Sequence, residues 1–290
     1  ATIKCQEDED KVRHEVINVL LRELRKEGLG AHIGNIYCGA FFHADDIALL
    51  AIDRNSMQRM IDICYQYACK WRFRLHPDKT KMLIYGKRPS HNITPLKLSN
   101  KLIETVSRHT HCGIELSTEA SSIQITKKIC RKGRGVLLSL QQCGLGDLNP
   151  LTLTKLYKSI VLPSALYGCE LWNNLSQTEW LMLERMQRFC AKSIQRLGKR
   201  TRSDICCPML GLLSLRSYVD KAKLGFLRRL CVMENKATSK QILLQRHYQK
   251  SLDHMGSINI GGFCKDLDDI LSRYGLQGYM ESYQKCGKFI

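Results

Sequence analysis

The stretch that most limits what this chain can fold into is Ile36–Ile52, IYCGAFFHADDIALLAI. Two apolar runs, rich in residues that favour strands, flank one acidic pair, Asp45-Asp46. Such runs separated by an Asp-Asp turn signal predict a β-hairpin with both carboxylates at its tip. Adjacent like charges at the mouth of so apolar a hairpin repel each other and gain nothing from burial. Two arrangements relieve the repulsion. One is a turn open to water, where Asp is a common residue; the other is coordination of a hard divalent cation. Composition alone favours the water-exposed turn.

The flanking sequence alternates helix and strand signals. Val16, Ile17, Leu20, Leu21 and Leu24 form a helical stripe within His14–Glu27, closed by Arg25, Lys26 and Gly28. Gly34-Asn35 is a two-residue hairpin signal. Past the acidic pair, Met57, Met60, Ile61, Cys64, Tyr67, Ala68 and Trp71 predict a helix over about 55–70 that packs on the strands. Then come Phe73–Leu75, a turn at His76–Thr80, a strand at Met82–Tyr85 and a polar connection over 86–100. The first twelve residues are polar and acidic, and are expected to form a disordered lead-in.

From Ser121 onward the periodicity is helical almost throughout. One helix carries Ile125, Ile129, Val136, Leu137 and Leu140 on its apolar face, with Lys127, Lys128, Arg131, Lys132 and Arg134 at polar positions. Asn149-Pro150 is an N-cap followed by proline at the first helical position. Ser176 and Glu179 have the spacing of a capping box. That helix exits through Lys192, Arg196, Lys199, Arg200 and Arg202, and a fourth helix near 215–233 adds Lys221, Lys223, Arg228 and Arg229. In the tail, Phe263–Tyr274 is the clearest helix.

Charge and cysteine content bound the function. The 290 residues hold 45 Lys+Arg against 27 Asp+Glu, a formal net charge of +18. An excess of that size attracts polyanions, and its clustering favours nucleic acid over a merely solubilising surface. No apolar run is long enough to span a bilayer and no signal-peptide core is present, so an intracellular protein, nuclear or cytoplasmic, without a membrane partner is expected. The 14 cysteines are irregularly spaced with no CxxC pair, which fits reduced thiols in such a compartment. His109-Thr110-His111-Cys112 is the single tight group of metal-ligating types. It has no second ligand group at useful spacing, which argues against zinc there.

His43-Ala44-Asp45-Asp46 resembles the aromatic-Ala-Asp-Asp tetrapeptide at the tip of the palm hairpin of reverse transcriptases, and in particular of non-LTR (LINE-type) retrotransposon polymerases. The likeness runs from near Val16 almost to the C-terminus. It includes Lys79-Thr80, where the family has a lysine beside the incoming triphosphate. It also includes His111-Cys112-Gly113, in place of the aromatic-Leu-Gly hairpin that grips the primer. A third landmark is Pro163, Leu166, Tyr167, Gly168, Glu170 and Trp172, which follow a Pro-x-x-Leu-aromatic-Gly-x-acid-x-Trp signature.

The resemblance implies an α+β fold: part of a polymerase palm, a small antiparallel sheet with packing helices, over 13–117. A mostly helical thumb-like bundle over 118–233 and a helical tail over 234–290 follow. It implies RNA-directed DNA polymerisation, with two Mg²⁺ or Mn²⁺ ions about 4 Å apart activating the primer 3′-hydroxyl and neutralising the leaving pyrophosphate. Asp45 and Asp46 are the implied metal ligands, Asp45 the firmer, and Lys79 an implied proton donor. RNA template, DNA primer and dNTP are the implied partners, with the basic helices holding phosphates. The oligomeric state is open.

Departures from the family pattern shape the expectation. His43 stands for the usual tyrosine, His76 for asparagine, and His111 and Cys112 for the aromatic and leucine of the grip. The family's third carboxylate belongs on a strand well upstream, for which few residues precede Phe41. The expected protein is therefore the second half of a palm plus a thumb, inactive on its own. Two other classes fit the same composition: a non-catalytic basic helical nucleic-acid-binding protein, and an interaction protein whose basic faces are only solvated.

Overall fold

The structure is a computed structural model that describes residues 18–44, 46–86, 94–119, 122–252, 262–276 and 278. The acidic lead-in over 1–12 and Asp45 lie outside the described residues. The fold is mixed α+β, and the chain divides into two compact units, Ala1–Ala120 and Ser121–Ile290.

The first unit opens with a helix described over 18–26 (α1). Strands β1 (His32–Ile33) and β2 (Ile36–Tyr37) form a hairpin through Gly34-Asn35, with Gly34 at φ 58°. Glycine at that first central position is what a type II′ turn requires. Strands β3 (Ala40–His43) and β4 (Asp46–Leu49) pair antiparallel with His43 opposite Asp46. Helix α2 (Arg54–Lys70) follows, capped by the Asp53 carboxylate, which accepts from the Ser56 amide at 2.8 Å. Then come β5 (Lys81–Met82), β6 (Lys97–Leu98), β7 (Lys101–Leu102), β8 (Glu104–Thr105), β9 (Arg108–His111) and β10 (Ile114–Ser117).

Among the described residues the expected antiparallel sheet is instead a set of two-stranded ladders, and one of them, β5–β8, is parallel. The strand expected over 82–85 shortens to Lys81–Met82, and residues 73–76 are irregular. The parallel pairing is possible because the β6–β7 hairpin lies within the connection and returns the chain in the same direction. Helix α2 holds this unit together. Its Met60, Cys64 and Tyr67 meet Leu20, Leu24, Leu29 and Ala40, while Ile61 meets Leu96, Leu98 and Ile103. Gln58 bonds reciprocally to the backbone of Lys97, at 2.8 and 2.9 Å.

The base of the carboxylate hairpin is set by a close backbone approach. The Ala31 amide donates to the Leu50 carbonyl at 2.8 Å and the Leu50 amide to the Gly39 carbonyl at 2.7 Å. Gly30, at φ +106°, faces this contact, and a Cβ there would fall 2.7 Å from the Gly39 Cα. Backbone on backbone has no side chain to give way. Gly30→Ala is therefore expected to destabilise this unit by at least the roughly 1–3 kcal/mol of a strained φ. Urea unfolding of the variant, followed by Trp71 fluorescence, checks this; an unchanged midpoint would show that the approach can relax.

The second unit contains α3 (Ile123–Gln142), α4 (Pro150–Leu156), a π-helical turn (Tyr157–Val161), α5 (Leu162–Ala165), α6 (Gln177–Ile194), α7 (Ser203–Met209), α8 (Leu215–Val232), α9 (Thr238–Leu252) and α10 (Phe263–Arg273). Pro163 follows the π turn, and its missing N–H accounts for the widened ladder just before it. Asn149 caps α4 ahead of Pro150, and Ser176 and Glu179 form the reciprocal capping box of α6. The core gathers Leu137, Leu153, Tyr157, Val161, Leu183, Met186, Cys190 and Ile194. Gly133 lets α3 approach α6, since a Cβ there would lie 2.9 Å from Met186 Sδ.

The Pro163–Trp172 signature forms a corner. Gly168 sits at φ 73°, a single turn at Cys169–Leu171 follows, Glu170 faces Arg229 at 3.5 Å, and the Trp172 carbonyl accepts from Lys223. Leu227, Leu230 and Cys231 of α8 join Leu243, Leu267 and Leu271 in a second core. Helices α9 and α10 thus pack on α8 within the unit Ser121–Ile290.

Candidate functional site

Three groups of residues carry the candidate chemistry: the carboxylate hairpin, the hairpin β9–β10, and the basic helix α3. In the first, the register sets His43 against Asp46, and Ala44 follows β3 at φ 52°. His43 and Asp46 are exposed. In the second, His111 pairs with Ile114 across Cys112-Gly113, whose φ values of 48° and 76° are both left-handed. Two positive φ angles define the type I′ turn, which suits the twist of a tight hairpin.

The two tips meet. Cys112 Sγ lies 3.8 Å from Asp46 Oδ2, a contact between positions 66 residues apart. Asp46, His111 and Cys112 each bring one ligand-type atom, all within 4.8 Å of one another. Partial burial pushes the Cys112 thiol up, and the neighbouring Asp46 carboxylate acts in the same direction. In the chain no second ligand group stands near His109–Cys112. The second group is Asp46, and no local signal could have revealed it.

A magnesium or manganese pair draws on hard oxygen donors. The ligand-type atoms grouped with the Asp46 carboxylate among the described residues are an imidazole nitrogen and a thiol sulfur. That donor set does not fit a pair of hard cations. Lys79 stands exposed in the turn over 77–79, where Thr80 closes the loop by donating from Oγ1 to the His76 carbonyl at 2.8 Å.

Helix α3 turns Thr126, Cys130, Gly133 and Leu137 inward and leaves Lys127, Lys128, Arg131, Lys132 and Arg134 exposed. The helix contains no acidic residue. Lys127 with Arg131, and Lys128 with Lys132, are like-charge pairs one turn apart, each unfavourable by a few tenths of a kcal/mol. An ordinary solvated face balances such charges with acids at the same spacing; this one does not. Arg134 lies over the Phe189 ring, 5.2 Å from its centroid.

The second basic group is partly spent on the fold. Lys192 donates to the carbonyls of Lys199 and Thr201 at 3.1 and 2.5 Å, pinning the loop after α6. Arg196 bonds the Gly146 carbonyl at 2.8 Å and lies 3.3 Å from Asp147, and Arg202 is paired with Asp204 at 2.6 Å. Lys199 and Arg200 are exposed. Lys223, expected on an outer face, is buried against Asp266 at 2.5 Å. No helix among the described residues is long and apolar enough to cross a membrane.

No family model, no curated protein and no solved structure matches this chain.

Proposed function

We propose that this chain is a reverse-transcriptase-derived protein of the non-LTR type that grips nucleic-acid duplexes without reading their sequence and does not polymerise by itself. In this reading residues 13–117 correspond to the later part of a palm, and residues 118–233 to a thumb-like bundle. The observation that carries it is the acid-free basic face of α3, supported by a net charge of +18. Basic side chains grouped on one helix that carries no acid of its own are stabilised by phosphates, which neutralise them and release counterions. The meeting of the Asp46 and Cys112 hairpin tips supports the polymerase ancestry, since the resemblance assigns one to the metals and the other to the primer end. The replacement of the expected aromatics by His43 and His111, with the soft donors beside Asp46, supports the loss of catalysis.

The test pairs binding with extension on one poly(rA)/oligo(dT) substrate, with Mg²⁺ or Mn²⁺ and dTTP. Binding is expected to fall steeply with salt, each phosphate contact adding about 0.9 to the log–log slope. The triple variant Lys127→Ala, Arg131→Ala, Lys132→Ala is expected to lower that slope by about 3. Primer extension is expected to be absent. Extension that disappears in Asp45→Ala or Asp46→Ala would overturn the non-catalytic reading, and salt-insensitive binding would overturn the grip.

A further inference from the structure

We propose that Asp46, His111 and Cys112 form a binding site for a transition-metal ion of the zinc class, which ties the tips of the two hairpins together. The inference does not rest on the nucleic-acid reading, and it stands or falls on the coordination chemistry of these three side chains.

The donor set is the first argument. One carboxylate oxygen, one imidazole nitrogen and one thiolate sulfur are the ligands that zinc combines, whereas magnesium and calcium avoid nitrogen and sulfur. Geometry is the second. Tetrahedral zinc with Zn–S near 2.3 Å and Zn–O near 2.1 Å sets sulfur and oxygen about 3.6 Å apart. Cys112 Sγ and Asp46 Oδ2 are 3.8 Å apart, and the third ligand atom lies within 4.8 Å of both. Closing the set therefore needs side-chain adjustments of no more than about 1.5 Å, which rotamer freedom supplies.

The third argument is the frame. His111 and Cys112 are neighbours at the end of a tight hairpin, and the left-handed turn at Cys112-Gly113 fixes where the thiol stands relative to the strand. Asp46 is the first residue of the opposing hairpin's second strand. An ion held by all three cross-links segments 66 residues apart in the chain. Asp46 is exposed and His111 and Cys112 are half-buried, so an ion can enter from solvent. Three protein ligands leave the fourth tetrahedral position to water. On binding, the thiol releases its proton to solvent and the imidazole binds in its neutral form. Among the described residues this is the one group of three such side chains.

The test uses the full chain, reduced and stripped of metal with a chelator, titrated first with Co²⁺ and then with Zn²⁺. A thiolate-to-cobalt charge-transfer band saturating at one equivalent is expected, bleached by Zn²⁺ and untouched by excess Mg²⁺. Cys112→Ser is expected to abolish the band. His111→Ala and Asp46→Asn are expected to keep it but weaken binding at least as much as the roughly 10–100-fold of an outer-shell loss. Cys69→Ser, which removes an exposed cysteine outside the group, serves as the control and is expected to change nothing. Far-ultraviolet circular dichroism on each variant verifies folding. Should Cys112→Ser fail to fold, the Zn²⁺ affinities of His111→Ala and Asp46→Asn, read by competition with a chromogenic chelator, decide the question. A band that survives in Cys112→Ser, or affinities unchanged in the other two, would overturn the site.

Discussion

Replacing Asp266 by alanine is expected to destabilise the second unit by about 3–5 kcal/mol, the usual cost of stranding one partner of a buried ion pair. Lys223 of α8 is only 4% exposed. Its ammonium has the Asp266 carboxylate at 2.5 Å and the Trp172 carbonyl as acceptors. Without Asp266 a full positive charge remains buried against one carbonyl. The same pair replaced on both sides, Lys223→Met with Asp266→Leu, is expected to cost far less, because no charge is left without a partner. Urea unfolding in a Trp71→Phe background isolates the signal of Trp172 and Trp180, which both belong to this unit. A single-variant cost below about 1 kcal/mol would mean that the ammonium reaches water when its partner is removed.

The second large effect is expected at Glu179. This side chain is 3% exposed and accepts hydrogen bonds from Ser122, from Thr126 Oγ1 at 3.1 Å, and from the amide and hydroxyl of Ser176 at 2.9 and 2.7 Å. It therefore caps its own helix and fastens the start of α3 to α6. Burial pushes its carboxyl up, yet the bonds from Ser122, Ser176 and Thr126 outweigh burial and hold it below its ordinary value. A carboxyl lowered by folding adds stability that is complete above its unfolded pKa, about 4.3, and is lost as the pH falls through the lower folded value. Glu179→Ala is expected to cost about 3–4 kcal/mol at neutral pH, from the lost cap and from the buried Thr126 and half-buried Ser122 hydroxyls left without this acceptor. The gap between wild type and variant should narrow below about pH 4 as the wild-type carboxyl takes up its proton. Unfolding midpoints measured from pH 7 down to about pH 3 check the sign. A gap that widens toward acid would refute the assignment.

What could be read before any coordinates were the local signals. Asn149-Pro150, the Ser176–Glu179 box and Gly34-Asn35 each act within a few residues, so spacing alone reveals them. Helical periodicity likewise located most of the buried faces of α2 and α6, while in α3 it marked Leu137 and the half-buried Ile125, Ile129, Val136 and Leu140 but not the buried Thr126, Cys130 and Gly133. Non-local partners could not be read. Lys192 and Lys223 look like surface cations in sequence, and only the returning loop at Lys199–Thr201 and the distant Asp266 turn them inward. Glu179 looked like a helix cap and no more, until Ser122 and Thr126 approached it from α3. Of the strands after α2, β5 was legible as apolar but not in its partner, and β6 lies within the stretch read as a polar connection over 86–100, because ladders of two residue pairs carry too little pattern to select a neighbour. The candidate metal group was hidden for the same reason: its two halves lie on separate hairpins.

The pairing between α8 and α10 also carries direction. Asp220 on α8 is buried and meets Arg273 and Tyr274 near the end of α10, while Lys223 meets Asp266 near its beginning. The polarity is crossed: acid then base along α8, and acid then base along α10, joined antiparallel. Were α10 to dock the other way round, Asp266 would face Asp220 and Arg273 would face Lys223, two like-charge clashes in place of two attractions. The leucines of the same interface carry no such information, since they pack equally well from either end. The two ion pairs work as a key, admitting the last described helix in one orientation only.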